Sequence, residues 1–163
     1  MTIKIKKFIN SSFYDHRGYY WTNWQKKKFK TINYNHDKFS LSKRNVLRGI
    51  HGDKKTWKLV SCVYGKVYFV VINFNKKSKS YLKYRSWILS QKNGLQILVP
   101  PYYGNGYLCL SKECLFHYKL SYKGKYFDIK KQFSIKWNDP KIKIKWPIKR
   151  PILSNRDKKT KLL

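Results

Sequence analysis

Acidic residues are scarce in this sequence. Its 163 residues include 38 Lys and Arg but only seven Asp and Glu. A mechanism that needs a carboxylate must use one of these seven, so a glycosidase with two catalytic carboxylates or a carboxylate-caged magnesium site has few ways to be built. The seven are Asp15, Asp37, Asp53, Glu113, Asp128, Asp139 and Asp157.

Cysteines and long apolar runs are also few. The three cysteines, Cys62, Cys109 and Cys114, form no C-x-x-C pair. This odd count predicts buried thiols of a cytosolic protein, not a disulfide framework or a zinc site. No apolar run approaches the roughly 18 residues of a membrane span, and the first ten residues lack the apolar core of a signal peptide. We therefore expect a cytoplasmic protein that has no membrane partner.

Basic side chains, in contrast, are abundant. The formal net charge of +31 raises the hypothesis that the chain binds nucleic acid or another polyanion. However, 32 of the 38 basic residues are Lys, and the chain contains no alanine. This composition is typical of AT-rich codons, so we interpret much of the charge as drift at solvated positions. The basic runs are spread along the chain, and nucleic acid is therefore not expected as a partner.

Apolar and aromatic residues are plentiful enough to form a core. They make up 42% and 18% of the chain, and its length suits one domain, which we assign to residues 1–163. One short helix-like piece lies at 24–30, and the tail after Trp137 is interrupted by prolines. Elsewhere short β-type segments recur about every ten residues, which predicts an all-β sandwich or barrel with short helical N- and C-terminal extensions. The predicted strands are 57–64, 67–74, 84–89, 95–99, 107–110 and 115–120.

Two of the four histidines stand in informative contexts. His51 follows Arg48 and Gly49 at the end of an apolar segment, where a strand opens into a turn and a rigid element can present a functional side chain. His117 precedes Tyr118 in a predicted strand, so the two side chains point to opposite faces and one of them faces inward. A single histidine is more often a surface or core residue than a catalytic one. No H-x-H or H-x-x-x-H spacing is present, so a metal site is not expected.

Eight motifs, in chain order, resemble those of one enzyme family. They are DHRG at 15–18, NVLRGIH at 45–51, KLV at 58–60 with Gly65, Gln96 with Pro100 and Pro101, Tyr118 with Lys119, WNDP at 137–140, Trp146 with Pro147, and LSNRD at 153–157. On these motifs the sequence resembles the dTDP-4-dehydrorhamnose 3,5-epimerase family. The resemblance implies a cupin jelly-roll fold, a homodimer, and a metal-free epimerase that acts on nucleotide-linked 4-keto sugars without a cofactor.

The resemblance also implies catalytic roles. A carbon next to a ketone can lose its proton only if the resulting enolate is stabilised, and inversion needs a base on one face and an acid on the other. His51 matches the family's base, and Asp157 matches the carboxylate that orients it. Tyr118 matches the acid, and Lys58 the cation that holds the oxyanion.

The expected substrate-binding residues are Arg17, Arg48, Gln96 and Asn105. The two arginines suit a diphosphate, because the guanidinium group binds phosphate oxygens in a bidentate manner. In this family the arginine of D-x-R-G reaches the active site of the neighbouring subunit. Asn105 stands where the family usually has a second histidine, and an amide can donate a hydrogen bond but cannot carry a proton through a reaction.

The nucleotide is expected to differ from dTDP. Thr22 stands where the family commonly has a glutamate linked to thymine recognition. The combination of motifs is most similar to the branch that acts on GDP-linked 4-keto-heptoses in capsule or surface-polysaccharide synthesis. A dTDP-linked 4-keto-6-deoxyhexose is the second expected substrate. Two alternatives remain at this point: a cupin that isomerises the ketone between C3 and C4, and a non-catalytic cupin that binds polyanions.

Overall fold

The computed structural model describes residues 4–126 and 131–163, and most of these form antiparallel strands. Sheet A has the order β1 (Lys6–Ile9), β9 (Leu95–Val99), β6 (Trp57–Tyr64), β11 (Glu113–Ser121), β4 (His36–Lys43). Sheet B has the order β12 (Phe133–Ser134), β5 (Leu47–Gly52), β10 (Tyr103–Cys109), β7 (Lys66–Asn73), β8 (Tyr84–Ser90). A separate hairpin joins β2 (Ser12–Asp15) to β3 (Gly18–Trp21).

The two sheets face each other across a hydrophobic core. Alternate residues of β6, β9 and β11 pack against alternate residues of β7, β8 and β10. The rings of Tyr107 and Phe116, one from each sheet, stack with centroids 4.3 Å apart and are fully buried. This arrangement confirms the predicted all-β jelly roll.

Both sheets are also covered on their outer faces. The N-terminal segment packs Phe8, Trp24 and Phe29 on the outside of sheet A, against Leu59 and Leu98. The C-terminal segment covers sheet B in the same way, with Ile135 and Ile142 against Ile50 and Val70. Residues on both faces of the central strands are therefore buried, which explains why the segment at 67–74 lacks polar alternation.

The six predicted strands correspond to β6 to β11. Two of them, β6 and β9, have the predicted bounds, and the other four differ at one or both ends, most of all β10, which begins at Tyr103. The helix-like piece at 24–30 is a single 3₁₀ turn over Lys26–Phe29, and the C-terminal extension contains one short helix, α1 (Asn155–Lys159). The rest of the N-terminal extension is built from β1, β2 and β3, which were not predicted.

The β2–β3 hairpin exposes an unusual amount of aromatic surface. Phe13 stacks on Tyr20 and Tyr14 on Tyr19, while these side chains remain 40 to 70% exposed. Among the described residues, no helix is long and apolar enough to cross a membrane. The three cysteines are buried free thiols, as predicted.

Candidate active site

Four of the expected catalytic and binding residues lie at the same end of the sandwich. Lys58 is the second residue of β6, Tyr118 lies near the end of β11, His51 near the end of β5, and Asn105 near the start of β10. Because the paired strands are antiparallel, these strand ends meet. His51 and Asn105 are direct partners in the ladder of sheet B, so their side chains leave that sheet on the same face.

Lys58 and Asn105 connect the two sheets. Lys58 Nζ donates a hydrogen bond of 3.2 Å to Asn105 Oδ1, and both residues are buried. Burial lowers the pKa of Lys58, and the nearby carboxylate of Asp53 opposes that change. The Lys58 amine therefore lies inside the protein with a carboxylate nearby, where charges interact more strongly than they do in water.

Tyr118 lies beside Asn105. Burial raises the pKa of Tyr118 well above its usual value, whereas the positive charge of Arg48 and the nearby Asn105 side chain oppose that increase. The phenol therefore keeps its proton through the neutral pH range. A protonated phenol on a packed strand can donate that proton to a carbon or oxygen placed against it.

His51 forms a short, well-supported pair with Asp157. His51 Nε2 is 2.6 Å from Asp157 Oδ1, and the side chains are 25% and 4% exposed, respectively. Among the described residues, none forms a hydrogen bond with the other ring nitrogen, Nδ1. A carboxylate on Nε2 fixes the proton there and leaves Nδ1 as the basic nitrogen.

The helix α1 positions the carboxylate of Asp157. Ser154 is its N-cap: Ser154 Oγ accepts a hydrogen bond from Asp157 N at 3.1 Å and donates one to Asp157 Oδ2 at 2.9 Å. Burial alone would raise the pKa of Asp157. Hydrogen bonds from His51, Ser154 and the backbone of Gly49 lower it by a larger amount, so the pKa lies below its usual value. The S-x-x-D spacing is a capping-box pattern, which gives the LSNRD motif a local structural reason.

Gly49 explains the glycine of the NVLRGIH motif. Its φ is +115°, and a Cβ at this position would lie 2.7 Å from Asn105 O and from Gly106 Cα. Another side chain would be strained and would push β5 away from β10. The glycine therefore sets the close approach that holds His51 against Asn105.

Arg48 lies at the edge of the site and links the two sheets. Its Nε donates to Ser42 Oγ at 2.8 Å and its Nη2 to Leu41 O at 3.0 Å, both on β4. The residue remains exposed, so its remaining donors are open to an anion from solvent.

Two expected binding residues do not join this cluster. Gln96 lies on the outer face of sheet A, where its Nε2 donates to Asn23 O at 2.8 Å and to Asn23 Oδ1 at 3.0 Å. It is 2% exposed, so within one chain it serves the packing of the N-terminal segment. Arg17 lies in the exposed turn of the β2–β3 hairpin and pairs with Asp15 at 2.7 Å.

The structure adds one residue to the cluster that the sequence analysis did not single out. Asp53, the first residue after β5, is 2% exposed, and its Oδ2 lies 3.8 Å from Lys58 Nζ. Two features of the sequence could have indicated Asp53 as a site residue: it is one of only seven acids, and it follows His51 by two positions. Within residues 4–126 and 131–163, no three His, Cys, Asp or Glu side chains are grouped closely enough to hold a metal ion.

Comparisons with known proteins agree with this geometry. The family model of dTDP-4-dehydrorhamnose 3,5-epimerase matches residues 4–163. The chain is 32% identical over 160 residues to the dTDP-4-dehydrorhamnose 3,5-epimerase of Salmonella typhimurium, covering 93% of this chain and 86% of that protein.

Solved structures show the same fold. The Bacillus anthracis enzyme with TDP and PPi bound has a TM-score of 0.90 and 29% identity over 98% of this chain and 94% of that one. The Legionella pneumophila enzyme, in complex with dTDP-4-keto-L-rhamnose, has a TM-score of 0.90 and 30% identity, over 99% and 89% of the two chains. The chain therefore belongs to the dTDP-4-dehydrorhamnose 3,5-epimerase family and is an epimerase of nucleotide-linked sugars.

Proposed function

We propose that the protein inverts C3, C5 or both of a nucleotide-linked 4-keto sugar, with His51 as the base and Tyr118 as the acid. One observation supports this most strongly: the imidazole comes from sheet B and the phenol from sheet A. A sugar ring held between the sheets would meet the base on one face and the acid on the other. Removing a proton from one face and returning one to the opposite face inverts the carbon.

Lys58 supplies the stabilising charge. Loss of the proton next to the ketone makes an enolate, whose negative charge collects on the former ketone oxygen. A buried ammonium group stabilises this oxyanion better than it stabilises the neutral ketone, so the stabilisation is selective for the intermediate. Asp157 stabilises the imidazolium that forms when His51 takes the proton.

Asn105 has a supporting role. Its Oδ1 accepts from Lys58, and its side chain lies close enough to Tyr118 to affect the pKa of the phenol. The Asn105 side chain lowers the pKa of the phenol, against the larger upward effect of burial. An amide here fixes the acid and the cation relative to each other without taking part in proton transfer.

The nucleotide diphosphate is assigned to arginines. Arg48 lies exposed at the edge of the cluster and presents unused donors. Arg17 pairs with Asp15 in the exposed turn of the hairpin and forms no hydrogen bond with a described residue of the cluster, so we propose that it reaches the site of a second copy in a homodimer. The exposed aromatic rings of the hairpin support this, because such a surface is typical of an interface.

We further propose a GDP-linked 4-keto-heptose as the substrate, used in the cytoplasm for surface-polysaccharide synthesis. The support is the replacement of the thymine-linked glutamate by Thr22, an exposed residue directly after β3. The related structures in complex with TDP or a dTDP-sugar support the coarser assignment of a nucleotide-linked sugar. Gln96 is not assigned a contact with the substrate in its own chain, because its side chain binds Asn23.

Deuterium exchange tests the proposal. The purified protein is incubated in D₂O with a GDP-4-keto-heptose and, separately, with a dTDP-4-keto-6-deoxyhexose, and NMR follows the label at C3 and C5. We expect deuterium at one or both carbons, with faster incorporation from the GDP sugar. No label from either donor would refute the epimerase, whereas faster exchange with the dTDP sugar would refute only the choice of nucleotide.

The Tyr118→Phe variant separates the two half-reactions. We expect it to retain proton removal by His51 but to lose inversion by about 10²-fold or more, because the opposite face then lacks an acid. The matched control is Tyr107→Phe, which removes a buried hydroxyl bonded to Ser40 and Ser42. The control is expected to lower stability and to keep inversion.

A further inference from the structure

Lys58 is a buried lysine whose charged form needs a stabilising group nearby. Lys58 is 7% exposed, and burial disfavours the charged form of an amine. The mechanism proposed above nevertheless requires an ammonium group, since a neutral amine would not stabilise an oxyanion. The site must therefore contain a group that keeps Lys58 charged in the absence of substrate.

Asp53 has the geometry for this task. Its Oδ1 accepts hydrogen bonds from the backbone N–H groups of Lys55 at 3.0 Å and Thr56 at 2.7 Å, which fixes the carboxylate in the loop between β5 and β6. Its Oδ2 has no hydrogen-bond partner among the described residues and faces Lys58 Nζ at 3.8 Å. The backbone carbonyl of Asp53 also accepts from Tyr102 N at 2.8 Å, which ties the loop to the start of β10.

We propose that Asp53 is a positioning residue for catalysis: it keeps the Lys58 ammonium group charged and directs it toward the substrate oxygen. This inference rests on the proposed function. The distance of 3.8 Å is the important detail, because it is too long for a full hydrogen bond. The carboxylate therefore supplies charge without taking the ammonium hydrogens, which stay available for Asn105 and for the oxyanion.

The other titratable groups around Lys58 do not replace this carboxylate. His51 lies opposite Asn105 in the ladder of sheet B, Tyr118 lies on β11, and Tyr103 begins β10. Tyr126 follows β11; burial raises its pKa, and the charge of Asp53 adds to that increase. None of these carries a negative charge at neutral pH. Asp157 does, but it is bound to His51, and Asp53 is the carboxylate that opposes the effect of burial on Lys58.

The pH dependence of exchange tests the inference. Asp53→Asn keeps an oxygen for the N–H groups of Lys55 and Thr56 but removes the charge. We expect the alkaline limb of kcat to move down by about 1 to 2 pH units, as expected when an opposite charge is removed at this distance. At pH 8, kcat should fall by about 10-fold or more while KM changes little, and Asp53→Glu should restore most of the activity.

Asp139→Asn is the matched control. Asp139 is also a buried carboxylate that binds backbone N–H groups, those of Lys141 and Leu163, but it lies away from the cluster. It should change stability and leave the pH profile in place. If Asp53→Asn lowers activity with an unshifted alkaline limb, or if Asp139→Asn shifts the limb equally, Asp53 is only a loop anchor and the inference is wrong.

A second measurement keeps the inference separate from the proposed function. In protein labelled with ¹³Cε-lysine, NMR titration follows Lys58, whose signal is assigned by its loss in Lys58→Arg. We expect the Lys58 titration to move to lower pH in Asp53→Asn. Asp53→Ser should show the same change, and it replaces the asparagine variant if that variant does not fold. An unchanged titration overturns the inference even if exchange is active, whereas absent exchange in the unmodified protein overturns the proposed function alone.

Discussion

Two histidine–aspartate pairs lie in different layers of this protein, and they have the same short distance. His51 Nε2 is 2.6 Å from Asp157, between the sheets, and His117 Nε2 is 2.6 Å from Asp37, on the outer face of sheet A. In each pair one of the two side chains is nearly buried, but it is not the same residue type. In the first pair the aspartate is buried, and in the second the histidine is 4% exposed while Asp37 is half exposed.

The decisive difference is the second ring nitrogen. His117 Nδ1 accepts from Asn23 Nδ2 at 2.9 Å, its ring stacks on Phe39, and Lys119 binds the other oxygen of Asp37 at 2.6 Å. Every polar atom of the outer imidazole is therefore engaged. His51 keeps Nδ1 open and a quarter of its side chain exposed. The comparison teaches that a histidine–aspartate pair alone does not identify a candidate base. The accessible Nδ1 is what makes His51, and not His117, the proposed base.

The largest expected effect is from replacing the inner histidine. His51→Asn should reduce deuterium exchange by about 10³-fold or more, because the variant lacks the proposed base. His117→Asn is the matched control and should retain exchange within about 2-fold. Solvent exchange measured by NMR on both variants checks this. Equal losses in both variants would contradict the assignment of the inner pair.

The next effect concerns the carboxylates. Asp157→Asn removes the charge that stabilises the imidazolium of His51 and should lower kcat by about 10- to 10²-fold. Asp37→Asn removes the same charge from the outer pair and should leave kcat within about 2-fold. Steady-state kinetics on folded protein, checked by circular dichroism, compares them. A kcat loss in the outer variant would show that the outer face is linked to the reaction.

A smaller effect is expected at Gln96. Gln96→Leu removes the donor to Asn23 O, while Asn23 Oδ1 keeps those of Asn10 and Ser61. The unpaired carbonyl should reduce the free energy of unfolding by about 1 to 3 kcal/mol. KM should stay the same, because the side chain lies outside the cluster. Urea unfolding and kinetics on the same preparation measure both quantities. A raised KM with unchanged stability would support the sequence-based expectation that Gln96 binds the substrate.

The smallest effect is a pH dependence of stability that belongs to the outer pair. Burial lowers the pKa of His117 from its ordinary value of 6.5, and Asp37 only partly opposes this. As the pH falls through about 6.5, the unfolded chain binds a proton before the folded one does, so the free energy of unfolding decreases. We expect the Tm to decline between pH 7 and 5.5, and to decline less in His117→Gln. An identical decline in both proteins would contradict this account.

The fold and the type of chemistry could be predicted because they depend on local patterns. The strands at 57–64 and 95–99 were predicted with their correct bounds, since β-branched runs between turn residues are a local signal. The β2–β3 hairpin was not predicted, because its exposed aromatic residues give no alternation between buried and solvated faces.

The positions of Gln96 and Asp53 could not be predicted in the same way. The strand around Gln96 is buried on both faces, so its hydrophobicity does not distinguish the face toward the site from the face toward the N-terminal segment. Asp53 meets Lys58 only because the loop after β5 is tied to the start of β10. The spacing of residues along the chain predicts neither the contact of Gln96 with Asn23 nor that of Asp53 with Lys58.

The sequence by itself determined the residue types available for the reaction. It contains a histidine, an aspartate, a tyrosine and a lysine in eight ordered motifs, and it contains few other acids. Only the tertiary structure decided which of these residues meet. His117 and Tyr118 are neighbours in the chain, yet strand geometry sends one to a closed outer network and the other to the cluster between the sheets. That choice depends on the register of β11 against β6 and β4, which pairs residues far apart in sequence.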